Sequence, residues 1–357
     1  MMQALSAFRD RFLGRGGAAV TIPPLDGALK PNNALEEAPP GHAVAEPDNF
    51  VEFGGAPLYS SGPRLMRGDA VLKVLPGSIT AAAASPDGAA LMLACADGAL
   101  HLLDADLKPR PHALRPLACV SAMRFVDAQT LLVCVGSAHH GVDEWQRDLL
   151  THGRSGALWR LSLASGEATR IAAALAFPYG VAATPDGGYI VAESWAKRLI
   201  RLDARGRVLG QALEDLPGFP ARLSPSARGG HWLCVFAPRS QLIEFVLREP
   251  AYRDAMMAEV DPSLWVAPAL KSNVSFFEPM QGGALKQMGV LKPWAPTRSY
   301  GLVVELDSRF QPLRSFHSRA GGRRHGVTSA LERDGRLWLT SKGGDEVVSL
   351  DLKEGTA

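Results

Sequence analysis

From residue 48 onward, apolar and polar positions fall into short runs with strand character, separated by turn residues, and one order of elements recurs. A small or apolar entry leads to a short strand, an Asp-Gly or Gly-Gly turn, a second strand, and a third strand ending near Leu-Asp. Residues 78–104, "SITAAAASPDGAALMLACADGALHLLD", show the unit plainly, as do residues 179–203 and 325–351. Pro-Asp-Gly suits the turn because proline presets φ, aspartate bonds back to the backbone, and glycine takes the left-handed position. Weaker copies begin at Asp48, Val120 and Ala221, which makes six units.

A four-stranded blade takes about 40–50 residues, and the third and fifth units are longer. One insertion is the polar "AHHGVDEWQRDLLTHGRSG", read as a partly helical loop. The other runs from about Ser240 to Ser299, where "EFVLREPAYRDAMMAEV" has helical spacing. The predicted fold is all-β: a six-bladed β-propeller over residues 48–357, its inner strands lining a central channel. A β-sandwich would show fewer, nonrepeating strands. Residues 1–47 read as an N-terminal extension on the exterior. It begins with a short amphipathic helix through Leu5, Phe8, Phe12 and Leu13, which packs on the body or touches a membrane, and continues as a Pro- and Asn-rich wrap.

Composition narrows the function classes. The formal net charge is +2 without a Lys/Arg stripe, so nothing marks a nucleic-acid footprint. No apolar run reaches 18 residues, so no membrane-spanning helix is expected. The N-terminus lacks a signal-peptide core. The four cysteines show no metal-ligand spacing, and Cys95, Cys134 and Cys234 end apolar runs, as buried thiols do. A cytoplasmic location follows as the expectation.

The stretches "LAFPYGVAATPDGGYIVAESWAKRLIRL" and "EDLPGFPARL" closely resemble the strictosidine synthase-like six-bladed propellers. "RSYGLVVELDSRFQPLRSFH" and "HGVTSALERDGRLWLTS" match that family's closing region, and "GAAVTIPPLDGALKPNNALEEA" resembles the leader of its bacterial members. The family is related in fold to the paraoxonases and the gluconolactonase-type lactonases. Many of those relatives hold a catalytic Ca²⁺ at the base of the channel, whereas plant strictosidine synthase joins an amine to an aldehyde with a glutamate of its last blade.

The resemblance also locates departures. Tyr179-Gly180-Val181 stands where the hydrolases have Asn-Gly-Val, and Ala221-Arg222-Leu223 where they have Asp-Asn-Ile. Only Asp48, with Asn49, keeps an acid where the first blade supplies a ligand. Ca²⁺ takes six to eight oxygens, so no metal and no other cofactor is expected, with Tyr179 and Arg222 filling the ion's space. The synthase's glutamate falls at about Thr328.

Two classes of function remain open. One is an enzyme acting on a small organic molecule at the channel mouth, by lactone or ester hydrolysis or by amine–aldehyde condensation. The other is a noncatalytic propeller that binds a metabolite or a protein. For the enzyme, His325 and the loop residues His139 and His140 are the proton-transfer candidates, since imidazole titrates near neutrality. Asp48, Tyr179, Arg222, Thr328 and Glu144 are the substrate-binding candidates. Each has a bland alternative: a solvated loop for His139, His140 and Glu144, a blade-junction histidine for His325, and a mutual ion pair for Asp48 and Arg222. On the functional reading, Arg222 and His325 are dispensable for the fold. Glu193 is expected to hydrogen-bond between blades, and Trp145, Trp195 and Trp265 either wall a pocket or pack blades.

Overall fold

In the computed structural model, residues 22–272, 274–275, 277–279, 286–287, 290–291 and 298–352 are described. The proposed N-terminal helix lies outside them.

Six sheets follow one another around an axis, as the repeat predicts. Blade one consists of Pro47–Phe53, Ala56–Ser61, Arg64–Arg67 and Ala70–Val74. Blade two has three strands, Ile79–Ala84, Leu91–Cys95 and Leu100–Leu103, followed by a segment bearing Pro109, Pro111 and Pro116. Proline has no N–H to give a ladder. Blade three is Val120–Phe125, Thr130–Val135, Gly156–Ser162 and Ala168–Leu175; blade four is Pro178–Ala183, Tyr189–Glu193, Arg198–Leu202 and Val208–Leu213. Blade five comprises Gly218–Pro225, His231–Pro238, Gly301–Leu306 and Pro312–Ser318.

Blade six takes Val327–Arg333, Arg336–Ser341 and Glu346–Asp351 from the end of the chain and His42–Ala43 from its beginning. The ring is therefore closed by the extension itself. Glu36 reinforces the closure by accepting from the Arg323 and Arg324 amides, each at 2.8 Å. Arg324 donates to the carbonyls of Leu35, Ala38 and Pro39 and pairs with Glu346.

The second strands of blades two to five read as nearly unbroken apolar runs because both of their faces are covered. In Thr130–Val135, Leu131 and Val133 pack with Met92 and Leu102 of blade two. Leu132 and Cys134 pack with Val181 and Val191 of blade four. The turns follow their sequence: at Asp334-Gly335 both residues have positive φ, 51° and 75°, and Arg333 pairs with Arg336 across a two-residue loop. All four cysteines are buried and free.

Every blade departs from regular pairing at the start of its inner strand. The pairing steps from Asp48 to Val51, Ile79 to Ala81, Pro178 to Gly180, Pro220 to Leu223 and Val327 to Ser329, and in blade three it passes over Ser121. A bulge leaves a residue unpaired and re-aims it. The residues freed in this way include Asn49, Thr80, Ser121, Tyr179, Arg222 and Thr328. These six positions, one per blade, build the site.

Candidate functional site at the channel mouth

Arg222 extends from the blade-five bulge across the axis and meets all five other blades. Its Nη1 donates to Asp48 Oδ1 of blade one at 2.6 Å and to the Thr328 carbonyl of blade six at 3.4 Å. Its Nη2 donates to the carbonyls of Thr80 in blade two, at 2.8 Å, and Ser121 in blade three, at 2.9 Å. From blade four, the Tyr179 ring lies under the guanidinium, 4.9 Å from Cζ to the ring centre. Gly180 makes that stacking possible: a Cβ there would lie 2.5 Å from the Ala221 carbonyl oxygen and 3.1 Å from Arg222 Cα.

Asp48 is the anionic hub. Besides Arg222, its Oδ1 accepts from the Thr328 hydroxyl and the Asn49 amide, each at 2.8 Å, and its Oδ2 pairs with Lys342 Nζ at 3.1 Å. Burial alone would raise its pKa, but Arg222, then Lys342, then these hydrogen bonds bring it down to about 2. Burial likewise disfavours the Lys342 ammonium, yet the attraction of Asp48 more than offsets this and its pKa lies above the ordinary lysine value. Burial raises the Tyr179 phenol, against the opposing pull of Arg222, so it remains a protonated donor. One carboxylate thus faces two cations, and the cluster is net positive.

Above the cluster lies a cavity of about 40 Å³ walled by Val142, Trp145, Phe177, Phe236 and Leu270, with Tyr179 and Lys342 facing it. Both insertions cover this end of the channel, and Gln146 Nε2 ties them together by donating to the Pro268 carbonyl at 2.6 Å. Trp145 lies edge-on to Phe236 and stacks on Trp195, which in turn stacks on Phe177 at 4.4 Å. Trp265 is buried in the blade-five insertion, with the Arg147 guanidinium over its ring.

The structure brings together Asp48, Tyr179, Arg222 and Thr328, and sets His325, His139 and Glu144 apart from them. His325 is a correction: it is buried at the junction of blades five and six, its Nδ1 on the Ser299 hydroxyl at 2.7 Å and its Nε2 on the Arg319 carbonyl at 2.9 Å. Both ring nitrogens are committed, and burial lowers its pKa, so it is a neutral structural histidine. His139 is exposed, with its amide on Ser137 Oγ. Glu144 is exposed and accepts from the Gly141 amide within its own loop. His140 is better held. Its Nδ1 is 3.0 Å from Oδ1 of the buried Asp148, whose Oδ2 accepts from Trp195 Nε1 at 2.7 Å. Glu193 accepts from the Ala176 amide, which joins blades three and four, and from Arg198.

Sequence reasoning missed Lys342 and Asp148. Lys342 follows the second strand of blade six in "TSKGGDE", where it resembles an exposed turn lysine. Its place, just past a second strand on the mouth side, is the signal that marks it.

The donor set does not fit a calcium ion. Among the described residues no group of acids, histidines and cysteines forms a metal cluster. The carbonyls of Thr80, Ser121 and Thr328 and both oxygens of Asp48 already accept from side chains or the backbone. Asn49 keeps a buried, unpartnered Oδ1, but one neutral oxygen beside two cations cannot supply the six to eight that Ca²⁺ takes.

The site and the core predict a stepwise acid response. Burial and Arg319 lower His317 to about 4, and burial and Arg124 lower His231 to about 4. An unfolded histidine binds its proton near pH 6.5, so unfolding takes up protons and stability is lost as pH falls from about 6.5 to about 4. His317, fully buried, accounts for about 3 kcal/mol of that loss. Asp48 contributes a second loss between about pH 4 and 2. Urea denaturation at a series of pH values tests this, and stability that stays flat from pH 7 to 4.5 would contradict it.

No family model matches the chain. Among curated proteins it is 27% identical over 196 residues to adipocyte plasma membrane-associated protein of Salmo salar, covering 53% of this chain and 40% of that protein. It is 22% identical over 196 residues to the Arabidopsis thaliana protein named strictosidine synthase-like 10, covering 54% and 46%. The chain is weakly homologous to these proteins. The matches span less than half the length of either relative. Among solved structures, a gluconolactonase from Xanthomonas campestris aligns over 87% of both chains at a TM-score of 0.54 and 13% identity. A regucalcin from Agrobacterium tumefaciens, titled a calcium-binding protein, aligns at 0.50 and 14%, covering 84% of this chain and 82% of its own. These likenesses establish the shared six-bladed fold. No helix among the described residues is long and apolar enough to cross a membrane.

Proposed function

We propose that this chain is a hydrolase of small lactones or esters that works at the Asp48 end of the channel without a metal ion. The observation that carries the reading is a net-positive, mostly buried cluster facing a small apolar cavity through Lys342 Nζ and the Tyr179 phenol. Fixed donors in a site that excludes water stabilise the negative charge that grows on a carbonyl oxygen when a nucleophile adds. His140, oriented by Asp148 and two residues before Val142 of the cavity wall, is the base on this reading: it takes a proton from water as the water oxygen bonds to the carbonyl carbon. Lys342 and Tyr179 hold the resulting oxyanion. The carbon–oxygen bond to the leaving alkoxide then breaks, and His140 returns the proton to that alkoxide. The aldehyde–amine condensation is disfavoured because Thr328, a hydroxyl spent on Asp48, stands where a carboxylate base would be needed. The partner on this reading is a small molecule, not nucleic acid, and four free thiols suit a reducing, cytoplasmic compartment.

A noncatalytic propeller is the second reading. It draws on the size of the cavity, which admits a carbonyl group but not a whole substrate, and on the internal pairing of Asp48. A panel of lactones and aryl esters assayed in EDTA separates the two. Turnover that survives chelation and is lost in His140→Gln supports the hydrolase; saturable binding with no turnover supports the second reading.

A further inference from the structure

The opposite end of the channel holds a second, larger space that the mouth does not use. It measures about 440 Å³, within the range of small-molecule pockets, and is lined by the later halves of the inner strands. Its walls are compact and apolar, with Ala83, Ala122, Val181 and Ala330 among them, and Arg222 lines it as well. Arg124 of blade three lines it too. Burial lowers the pKa of Arg124, and no neighbouring acid offsets that effect. Among the described residues the Arg124 side chain has neither a hydrogen bond nor an ion pair. That isolation is unusual here: Arg198, Arg222, Arg239, Arg314 and Arg324 all pair with carboxylates. Ser224 also lines the space, with its Oγ turned away from it, buried and without a partner.

We propose that this cavity is a binding site for a small organic monocarboxylate, its carboxylate held by Arg124 and its short apolar body by the alanine-lined wall. A guanidinium presents two parallel N–H groups that match the two oxygens of a carboxylate. The acids at the cavity set the charge of the ligand. Glu332 is tied to Trp232 Nε1 and the Ala227 amide, and Glu52 lies 3.5 Å from Arg333. Both carboxylates repel a multiply charged phosphate more strongly than a single carboxylate. An unpaired, half-buried cation at a cavity wall is open to a ligand that pairs with it. The site is independent of the reaction proposed at the mouth.

The test titrates the full chain with sodium butanoate, sodium hexanoate and inorganic phosphate in a low-chloride buffer by calorimetry. One saturable site for the two carboxylates is expected, weakening as salt rises. Arg124→Gln should weaken it at least about tenfold. Arg124→Met should melt no lower than the native protein, because it removes an unpaired charge, whereas a structural arginine would lower the melting point. Absence of saturable binding, undiminished binding in Arg124→Gln, a destabilised Arg124→Met, or phosphate binding tighter than the carboxylates would each overturn the proposal.

Discussion

Replacing Arg222 by alanine is expected to lower the unfolding free energy by about 3–5 kcal/mol, the range seen when one partner of a buried ion pair is removed. Three consequences add in one place. Asp48 keeps Lys342 but loses its shorter ion pair. The carbonyls of Thr80, Ser121 and Thr328 lose their side-chain donor on the axis. The Tyr179 ring loses the group stacked on it. Asp48→Ala should cost a similar amount, since it leaves two cations facing each other, and the double variant should cost less than the sum of the two. Chemical denaturation of the four proteins measures this. A loss under about 1 kcal/mol for Arg222→Ala would show that the blades hold without the strut. This expectation runs against the sequence reading of Arg222 as a residue the fold can spare, and the measurement decides between them.

Lys342→Met is expected to act on catalysis instead. If Lys342 holds the oxyanion, its removal should lower kcat by about 10²–10³-fold, the usual cost of losing one such donor, while KM changes little. Asp48 retains Arg222 and the Thr328 hydroxyl in this variant, so the melting point should fall far less than in Arg222→Ala. Tyr179→Phe should show a smaller loss in kcat. Steady-state kinetics on whichever ester or lactone is turned over, read beside the melts, decides the matter. Full activity in Lys342→Met would remove the cluster from the mechanism.

The repeat made the six blades legible, because each second strand is covered on both faces and each turn needs residues that tolerate left-handed backbone. The resemblance to the strictosidine synthase-like propellers marked Asp48, Tyr179, Arg222 and Thr328, and they share one end because successive blades place equivalent bulges at one height. Closure of the ring was not legible. A two-residue strand such as His42–Ala43 has no period to detect, so residues 1–47 read as a wrap although they supply the last strand of blade six. His325 was misplaced for a different reason. It lies beside Gly326, at φ 65°, where the chain turns into the blade, and its partners Ser299 and Arg319 belong to segments whose approach only the fold reveals. The role proposed for His140 over His139 rests on Asp148, eight residues away across a loop, which no spacing rule singles out.

A side-chain cation, Arg222, occupies the channel axis, where the resemblance to the lactonase-type propellers implies a metal. Melting the purified protein after EDTA treatment, and again in excess calcium, tests it most directly. The two curves should superimpose, and calorimetry should detect no stoichiometric calcium binding. A melting point that rises with calcium, or a tightly bound ion whose removal destabilises the fold, would contradict the account.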